Sequence, residues 1–346
     1  MLLPERHSMK DFFVLDVVDV VMRSDMASME HPLFSLHTKP DRRTLRYDNG
    51  AATLRIIPGD VGLPTIFDKD ILIYCISHLM HRKNRGEEIS RHVRLTTHDL
   101  LVNTNRRTNN LAYQDLLPAL QRLRRTSFET SITTGAESSV REFSLIDEFE
   151  YNRKGSMHAD RLRYMEIVLS DWLFRSITAA EVLPIHRDYF RLRSAIDRRV
   201  YEIARKHCGT EQRTWRIGMD KLQLKTGARS APKHFAAHMR RVVAENHLPD
   251  YGVQFESDSD NVVFYPKKMA KAPKAAKAPA VAGIDADTLA VLIPEAVMAA
   301  ARQEARARNR DFHALKVEFV DFMNAKGEPD TIAGAFLGFV RQKDKL

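Results

Sequence analysis

The sequence predicts an α+β chain in which one small helix–turn–helix unit occurs twice in tandem and a short helical module follows on a basic tether. Three observations carry this reading. Helix-period runs alternate with short strand-like runs, in the same order, in two stretches before residue 266. A single constant offset pairs Leu95 with Ile217, Leu100 with Leu222, Val102 with Leu224, Thr104 with Thr226, Tyr113 with Phe235, Leu117 with Met239 and Leu120 with Val242. Finally, KKMAKAPKAAKAPAVA after residue 266 holds five lysines and no acid. That run buries too little apolar surface to offset its ordering entropy, so residues 267–283 are expected to be a disordered basic linker.

The elements follow in order. Residues 1–60 are expected to form a strand-rich layer of the first unit, because MEHPLFSLHTKPD and ATLRIIP alternate like strands. A part in a dimer interface is a secondary reading for this layer. The first unit, 61–180, opens with a long helix from Phe67, whose Ile71, Tyr74, Cys75, His78 and Leu79 recur at helical spacing. The strand HVRL leads to a helix opened by Thr96 or Thr97, with Asp99 in its first turn. After the polar turn NTNRRTNN comes the helix LAYQDLLPALQRLRR, in which Pro118 predicts a kink. SFETSIT and VREFSLIDEFEY then read as a hairpin through Gly135.

The second unit, 181–266, repeats the scheme. HRDYFRLRSAIDRRVYEIARKH (186–207) reads as one helix with an apolar stripe of Tyr189, Leu192, Ile196, Val200 and Ile203. Arg187, Arg191, Arg198 and Arg205 line its opposite face, with Arg193, Arg199 and Lys206 on the flanks. TWRI, GMDKLQLKT, the turn GARS, APKHFAAHMRRVVAEN, GVQFES and NVVFYP complete it. Helix, strand, helix, turn, helix, hairpin is the order of a winged-helix domain. In residues 284–346 a helix restarts at Pro294, and the pairs Phe319/Phe322 and Phe336/Phe339 flank a Gly327–Pro329 turn. These aromatics either pack a small helical hairpin or offer a surface to a protein or DNA partner.

The formal net charge of the 346 residues is +9, and five of those charges sit in the tether. Such a balance suits nucleic acid, an anionic surface or plain solubility. Cys75 and Cys208 share no metal-ligand spacing and read as buried thiols in a reducing cytoplasm. The apolar start is broken by Asp16 and Asp19, so neither a signal peptide nor a membrane span is expected. No phosphate-cradling GxxxxGK[ST] loop is present, nor a His-x-His pair of the kind rolling-circle nickases use. HLMH spaces His78 and His81 without a matching acid. The expectation is a cytoplasmic binding protein, not an enzyme, with no cofactor or metal.

In a helix-turn-helix the second helix enters the major groove with its N-terminal residues at the base edges. For residues 230–246 the core face would be Phe235, Met239, Val242 and Asn246. The outer face then carries Ser230, Lys233, His234, Ala237 and Arg241, with Arg240 at its side. Cations for phosphate or guanine and a small alanine permitting close approach make a plausible reader; a solvated basic face is the alternative. The first copy buries Tyr113, Leu116, Leu117, Leu120 and Leu123 and presents a nearly neutral outer side. Its candidates for phosphate contact are Arg106, Arg107, Asn109 and Asn110 at the turn, with Arg122 and Arg125 at the helix end. The helix dipole alone also accounts for those terminal arginines. Arg187 and Arg191 complete the candidate set; for Arg198 and Arg205 a solvated face is at least as good a reading.

DMASMEHPLFSLHTKPD (25–41) and GLPTIFDKDILIYCISHLM (62–80) resemble the replication initiator protein A family of bacterial plasmids, with the resemblance extending from about residue 10 to about residue 266. It implies an initiator that binds repeated double-stranded sites (iterons) at a plasmid origin, recruits host proteins such as a helicase or its loader, and represses its own gene. It also implies tandem winged helices, the first serving in homodimerisation, with a DNA-binding monomer as the other state. A plasmid-encoded repressor or partition protein without initiation activity is the competing reading. The C-terminal KVEFVDFMNAKGEPDTIAGAFLGFVRQK is similar to a short helical module at the ends of several replication-associated proteins.

Overall fold

A computed structural model describes residues 2–7, 21–48, 53–130, 141–153, 162–209, 214–256, 260–268, 289, 293–307, 312–326 and 332–342. One compact unit takes Met1–Tyr47 and Thr53–Pro273, and a second takes the C-terminal residues from Lys274. Both stretches read above as separate helix–turn–helix copies lie in the first unit.

The N-terminal layer comprises β1 (Arg23–Asp25), α1 (Met26–Glu30), β2 (Leu45–Asp48) and β3 (Thr53–Ile57). ATLRIIP forms as expected, but MEHPLFS does not become a strand. Asp25 accepts a hydrogen bond from the Ser28 N–H at 2.7 Å, and this cap nucleates a helix through Glu30. Beyond it, Leu33 and Phe34 are both buried although adjacent in sequence, which no alternating strand allows.

The first copy follows as α2 (Lys69–Asn84), β4 (His92–Thr96), α3 (Thr97–Asn103) and α4 (Asn110–Arg125). Thr96 caps α3 by accepting from the Asp99 N–H at 3.1 Å, and Asn109 caps α4 by accepting from the Ala112 N–H at 3.1 Å. Pro118 lies inside α4, which is one continuous helix, with Leu116, Ala119, Leu120 and Leu123 buried. The strands come next: β5 (Ser127–Thr130), β6 (Arg141–Phe143), β7 (Ile146–Arg153) and β8 (Leu162–Leu169). The expected hairpin forms in part: β5 pairs antiparallel with β6, but VREFSLIDEFEY is two strands, and the β5–β6 pair belongs to a separate four-stranded sheet ordered β2-β3-β5-β6. The copy's own sheet is β4-β8-β7, whose hairpin joins β7 to β8. The Gly135 turn lies outside the described residues.

After α5 (Asp171–Thr178) and β9 (Val182–Pro184), the expected single helix over 186–207 divides. A 3₁₀ turn, Arg187–Arg191, precedes α6 (Ala195–Cys208). Ser194 accepts from the Asp197 N–H at 3.3 Å, a local cap that competes with helix continuation. Next come β10 (Trp215–Gly218), α7 (Met219–Thr226), α8 (Pro232–Glu245), β11 (Tyr251–Phe255) and β12 (Asn261–Pro266). The offset that pairs Leu95 with Ile217 also carries the first residue of α3, Thr97, to that of α7, Met219, and the first residue of α4, Asn110, to that of α8, Pro232. The sheet β10-β12-β11 has the strand order of β4-β8-β7, first–last–middle and antiparallel throughout.

One apolar core runs through both copies, with Phe128, Tyr189, Tyr201, Phe235 and Phe264 wholly enclosed. The arginine row on α6 is not solvated. Arg198, Arg199, Arg205 and Lys206 are all buried. Arg199 donates to the carbonyls of Met29 and Glu30, each at 2.8 Å, and Arg205 donates to the Pro184 carbonyl at 2.6 Å. These guanidinium groups satisfy backbone acceptors of packed segments, as buried charge requires.

The C-terminal unit contains α9 (Glu295–Ala307), α10 (Phe312–Lys326) and α11 (Ile332–Gln342). Phe319 and Phe336 meet at 5.2 Å in its core, while Phe322 and Phe339 pack against that core half-buried. The two aromatic pairs thus pack α10 against α11, as the helical-hairpin reading expects. Apart from Lys267 and Lys268, the expected linker lies almost wholly outside the described residues. Among the described residues no helix is long and apolar enough to cross a membrane.

Candidate nucleic-acid interface

Phe235, Met239 and Val242 fix how α8 sits, since all three are fully enclosed. Asn246, expected on this face, is instead an exposed left-handed C-cap at φ 43°, a conformation asparagine tolerates. With the core face set, Ser230, Lys233, His234, Ala237, Arg240 and Arg241 are all exposed. The first turn carries no acid, so Lys233 adds positive charge to the positive end of the helix dipole. Pro232 opens the helix where its missing N–H costs nothing. The preceding turn is held by Gln223, whose amide donates to the Ser230 carbonyl at 2.7 Å.

Sequence reasoning missed what anchors the other flank of α8. His238 and His247 converge on the Asp197 carboxylate of α6, with Nε2–O distances of 2.6 and 2.8 Å. Arg241 in turn stands 3.0 Å from His238 Nδ1. Burial pushes the Asp197 carboxyl up, but the hydrogen bonds from His238 and His247 outweigh it and hold the group well below the usual carboxylate range. The i+9 spacing of two histidines carries no periodic signal, and their aspartate lies outside the helix.

The first copy disposes of its cations differently. Arg122 makes a two-pronged bond to Asp68 at 2.8 and 2.9 Å. Arg106 donates to the Phe67 carbonyl and to Asp70, the latter at 3.2 Å. Arg125 pairs with Asp60 at the surface. Asn109 uses its side chain as the α4 cap, Asn110 is exposed at the first position of α4, and Arg107 is exposed with no partner among the described residues. Arg191 donates to Asp188 at 2.9 Å and to the Leu3 carbonyl at 2.7 Å; Arg187 lies 3.8 Å from Glu5.

The N-terminus of α2 is the junction between the copies. Lys69 pairs with Glu202 of α6 at 2.7 Å, both side chains enclosed. Asp70 accepts from Arg198 of α6 at 2.6 Å while also holding Arg106. Glu202 further accepts from the Tyr189 hydroxyl at 2.7 Å. Burial first, then the negative charge of Glu202, raises the Tyr189 hydroxyl well above its ordinary value, so it stays a donor. Three consecutive residues, Asp68, Lys69 and Asp70, thus tie α2 to the turn before α4, to α4 itself and to α6. Among the described residues no group of three or more His, Cys, Asp or Glu side chains is placed to hold a metal ion.

Comparison with known proteins places this geometry. Residues 23–253 match the replication initiator protein A family, within the span over which the resemblance was expected. A Wigglesworthia glossinidia brevipalpis protein, provisionally described as a replication protein, is 38% identical over 268 residues, covering 76% of this chain and 95% of that protein. Among solved structures, domains 2 and 3 of RctB superpose with a TM-score of 0.52 at 10% identity, over 70% of this chain and 98% of that one. The Pi initiator protein in complex with iteron DNA gives a TM-score of 0.43 at 14% identity, over 64% of this chain and 99% of that one.

Proposed function

The chain belongs to the replication initiator protein A family, and from that premise we propose that it is a plasmid replication initiator that binds repeated double-stranded sites at its origin. Each copy is read as a winged helix, the hairpins β7–β8 and β11–β12 being the wings. The observation that carries the reading is the α8 face: Lys233, His234, Arg240 and Arg241 exposed on one helix whose opposite side is locked in a core. Affinity comes from arginine and lysine contacts to phosphates, and specificity from side chains of α8 at base edges. The protein acts in the cytoplasm as a binding protein without a reaction centre of its own, and leaves strand opening and synthesis to a host helicase, its loader and polymerase. A homodimer and a DNA-binding monomer are its two working forms, and the first copy supplies the dimer contact.

The test is a titration of the full chain against duplex repeats flanking its own gene and against scrambled duplexes at several salt concentrations. Tighter binding to the repeats is expected, with Lys233→Ala or Arg241→Ala removing about 1–3 kcal/mol of that preference. A plasmid carrying only this gene and its neighbouring repeats should be maintained in a suitable host. Failure to bind either duplex at modest ionic strength would end the proposal.

A further inference from the structure

β2 is the edge strand of its sheet, and alternation along it buries Leu45 and turns Arg46 outward. Arg229 projects from the turn between α7 and α8, three residues before the helix begins. The two arginines line one cavity of about 360 Å³, together with Thr44, Tyr47, Leu224 and the glycine turn at Gly227. Among the described residues no carboxylate lines it, and neither Arg46 nor Arg229 has an ion-pair or hydrogen-bond partner. Leu224 is 62% exposed beside them, a large apolar side chain facing outward on a helix that is otherwise polar on that side.

The walls of this groove are fixed. Gly227 has φ +74°, and a Cβ there would fall 2.7 Å from the Pro32 Cβ and 3.2 Å from the Tyr47 hydroxyl. Behind the groove, Arg199 bridges the Met29 and Glu30 carbonyls of α1 to the Lys225 carbonyl of α7, the last at 3.1 Å. The Glu30 carboxylate receives Lys206 at 2.5 Å, His207 at 3.1 Å and Lys225. Two cations therefore stand at this opening, without a counter-charge among the described residues, immediately ahead of the helix read above as the base reader.

We propose that the groove between β2 and the α7–α8 turn seats the sugar–phosphate backbone of the duplex, with Arg46 and Arg229 each on a phosphate and Leu224 against sugar. This rests on the DNA-binding reading above and adds to it a strand of the N-terminal layer as part of the interface. Planar guanidinium groups match phosphate oxygens in fork geometry, and contacts of this kind set register on the duplex rather than sequence choice.

The test uses the full chain with Arg46→Ala, Arg229→Ala and both together, on origin repeats and on scrambled duplex across a salt series. Each single change should weaken binding to both duplexes by the same factor and lower the salt slope by about 1, the double change by about 2. Phosphate-ethylation interference should lose a different phosphate in each single variant and both in the double variant, with unaltered melting curves. An unchanged slope and affinity, while the parent protein still binds its repeats, refutes the groove and leaves the DNA reading intact. A loss confined to the repeats also refutes it, because that pattern belongs to base contacts. Absence of binding by the parent protein removes the underlying reading and this inference together.

Discussion

Asp70→Asn should be among the most damaging single changes of similar shape in the larger unit. Asp70 Oδ1 accepts from Arg198 at 2.6 Å and Oδ2 from Arg106 at 3.2 Å, with only 2% of the aspartate and 4% of the Arg198 side chain exposed. An asparagine keeps one acceptor oxygen and turns an N–H₂ toward the other guanidinium, so one arginine loses its partner and meets a donor. Removing one member of a buried pair costs about 3–5 kcal/mol, because the remaining charge stays desolvated. For a unit of this size that corresponds to a melting drop of roughly 6–20 °C. Asp60→Asn supplies the comparison, since Asp60 also faces an arginine in two-pronged geometry but is 69% exposed. Its screening by water predicts no resolvable change in the same assay. Urea unfolding followed by far-UV circular dichroism, with the slope of the transition unchanged, measures both. Equal midpoints for the two variants would refute the claim that burial, rather than pairing as such, sets the worth of these bridges.

Leu120→Ala removes a fully enclosed side chain from α4 and should destabilise the unit by about 2–5 kcal/mol in urea, whereas an unchanged midpoint would mean that the core face of α4 is misplaced. Gly227→Ala places a methyl against the rigid Pro32 ring at positive φ and should cost about 1–3 kcal/mol, checked by a melting curve. Asp197 has a carboxyl held below its unfolded value, so its contribution is complete above the ordinary carboxylate range and is lost as pH falls below about 4. Asp197→Asn should therefore flatten the stability profile between about pH 4 and pH 2, and a profile parallel to that of the parent protein would show that the two histidines do not hold this carboxylate.

What could be read directly from the sequence was local or periodic. Thr96 or Thr97 announces the start of α3 because a cap bonds within three residues of itself, and Thr96 is the one that caps, whereas Asn109, expected at phosphate, caps α4. The offset between Tyr113 and Phe235 announces a repeated unit because both copies must fill the same place under the same helix. The core face of α8 followed from its period, except at Asn246, where the helix has already ended. Pairing was legible only between strands adjacent in sequence. SFETSIT pairs with VREF as expected, yet nothing in its alternation tells β5 that its other neighbour is β3, or that β7 belongs to a different sheet. The arginine row of α6 failed for the same reason: a helical period says which residues share a face, not whether another segment covers that face. Arg198 meets its aspartate 128 residues away, and Arg199 its Met29 carbonyl 170 residues away.

Carrying the repeat offset across the two reader helices sharpens where DNA should sit. Lys233, His234, Ala237, Arg240 and Arg241 of α8 correspond to Leu111, Ala112, Asp115, Pro118 and Ala119 of α4. The first copy therefore has no cation at any of these positions, and Leu111 is 67% exposed at the place of Lys233. Of its arginines at the turn and helix end, Arg106 is engaged by Asp70, Arg122 by Asp68 and Arg125 by Asp60, and Arg107 stays exposed. In the second copy Lys233 and Arg240 lack an ion-pair partner among the described residues, and Arg241 is exposed with His238 at 3.0 Å. A polyanion is recruited by charge that the fold has not already neutralised, since a paired guanidinium must give up a carboxylate before it can take a phosphate. Net charge and arginine count are nearly blind to that distinction. The same scaffold, used twice, thus provides one copy whose cations hold the protein together and one whose cations face outward, and DNA contact should follow the second.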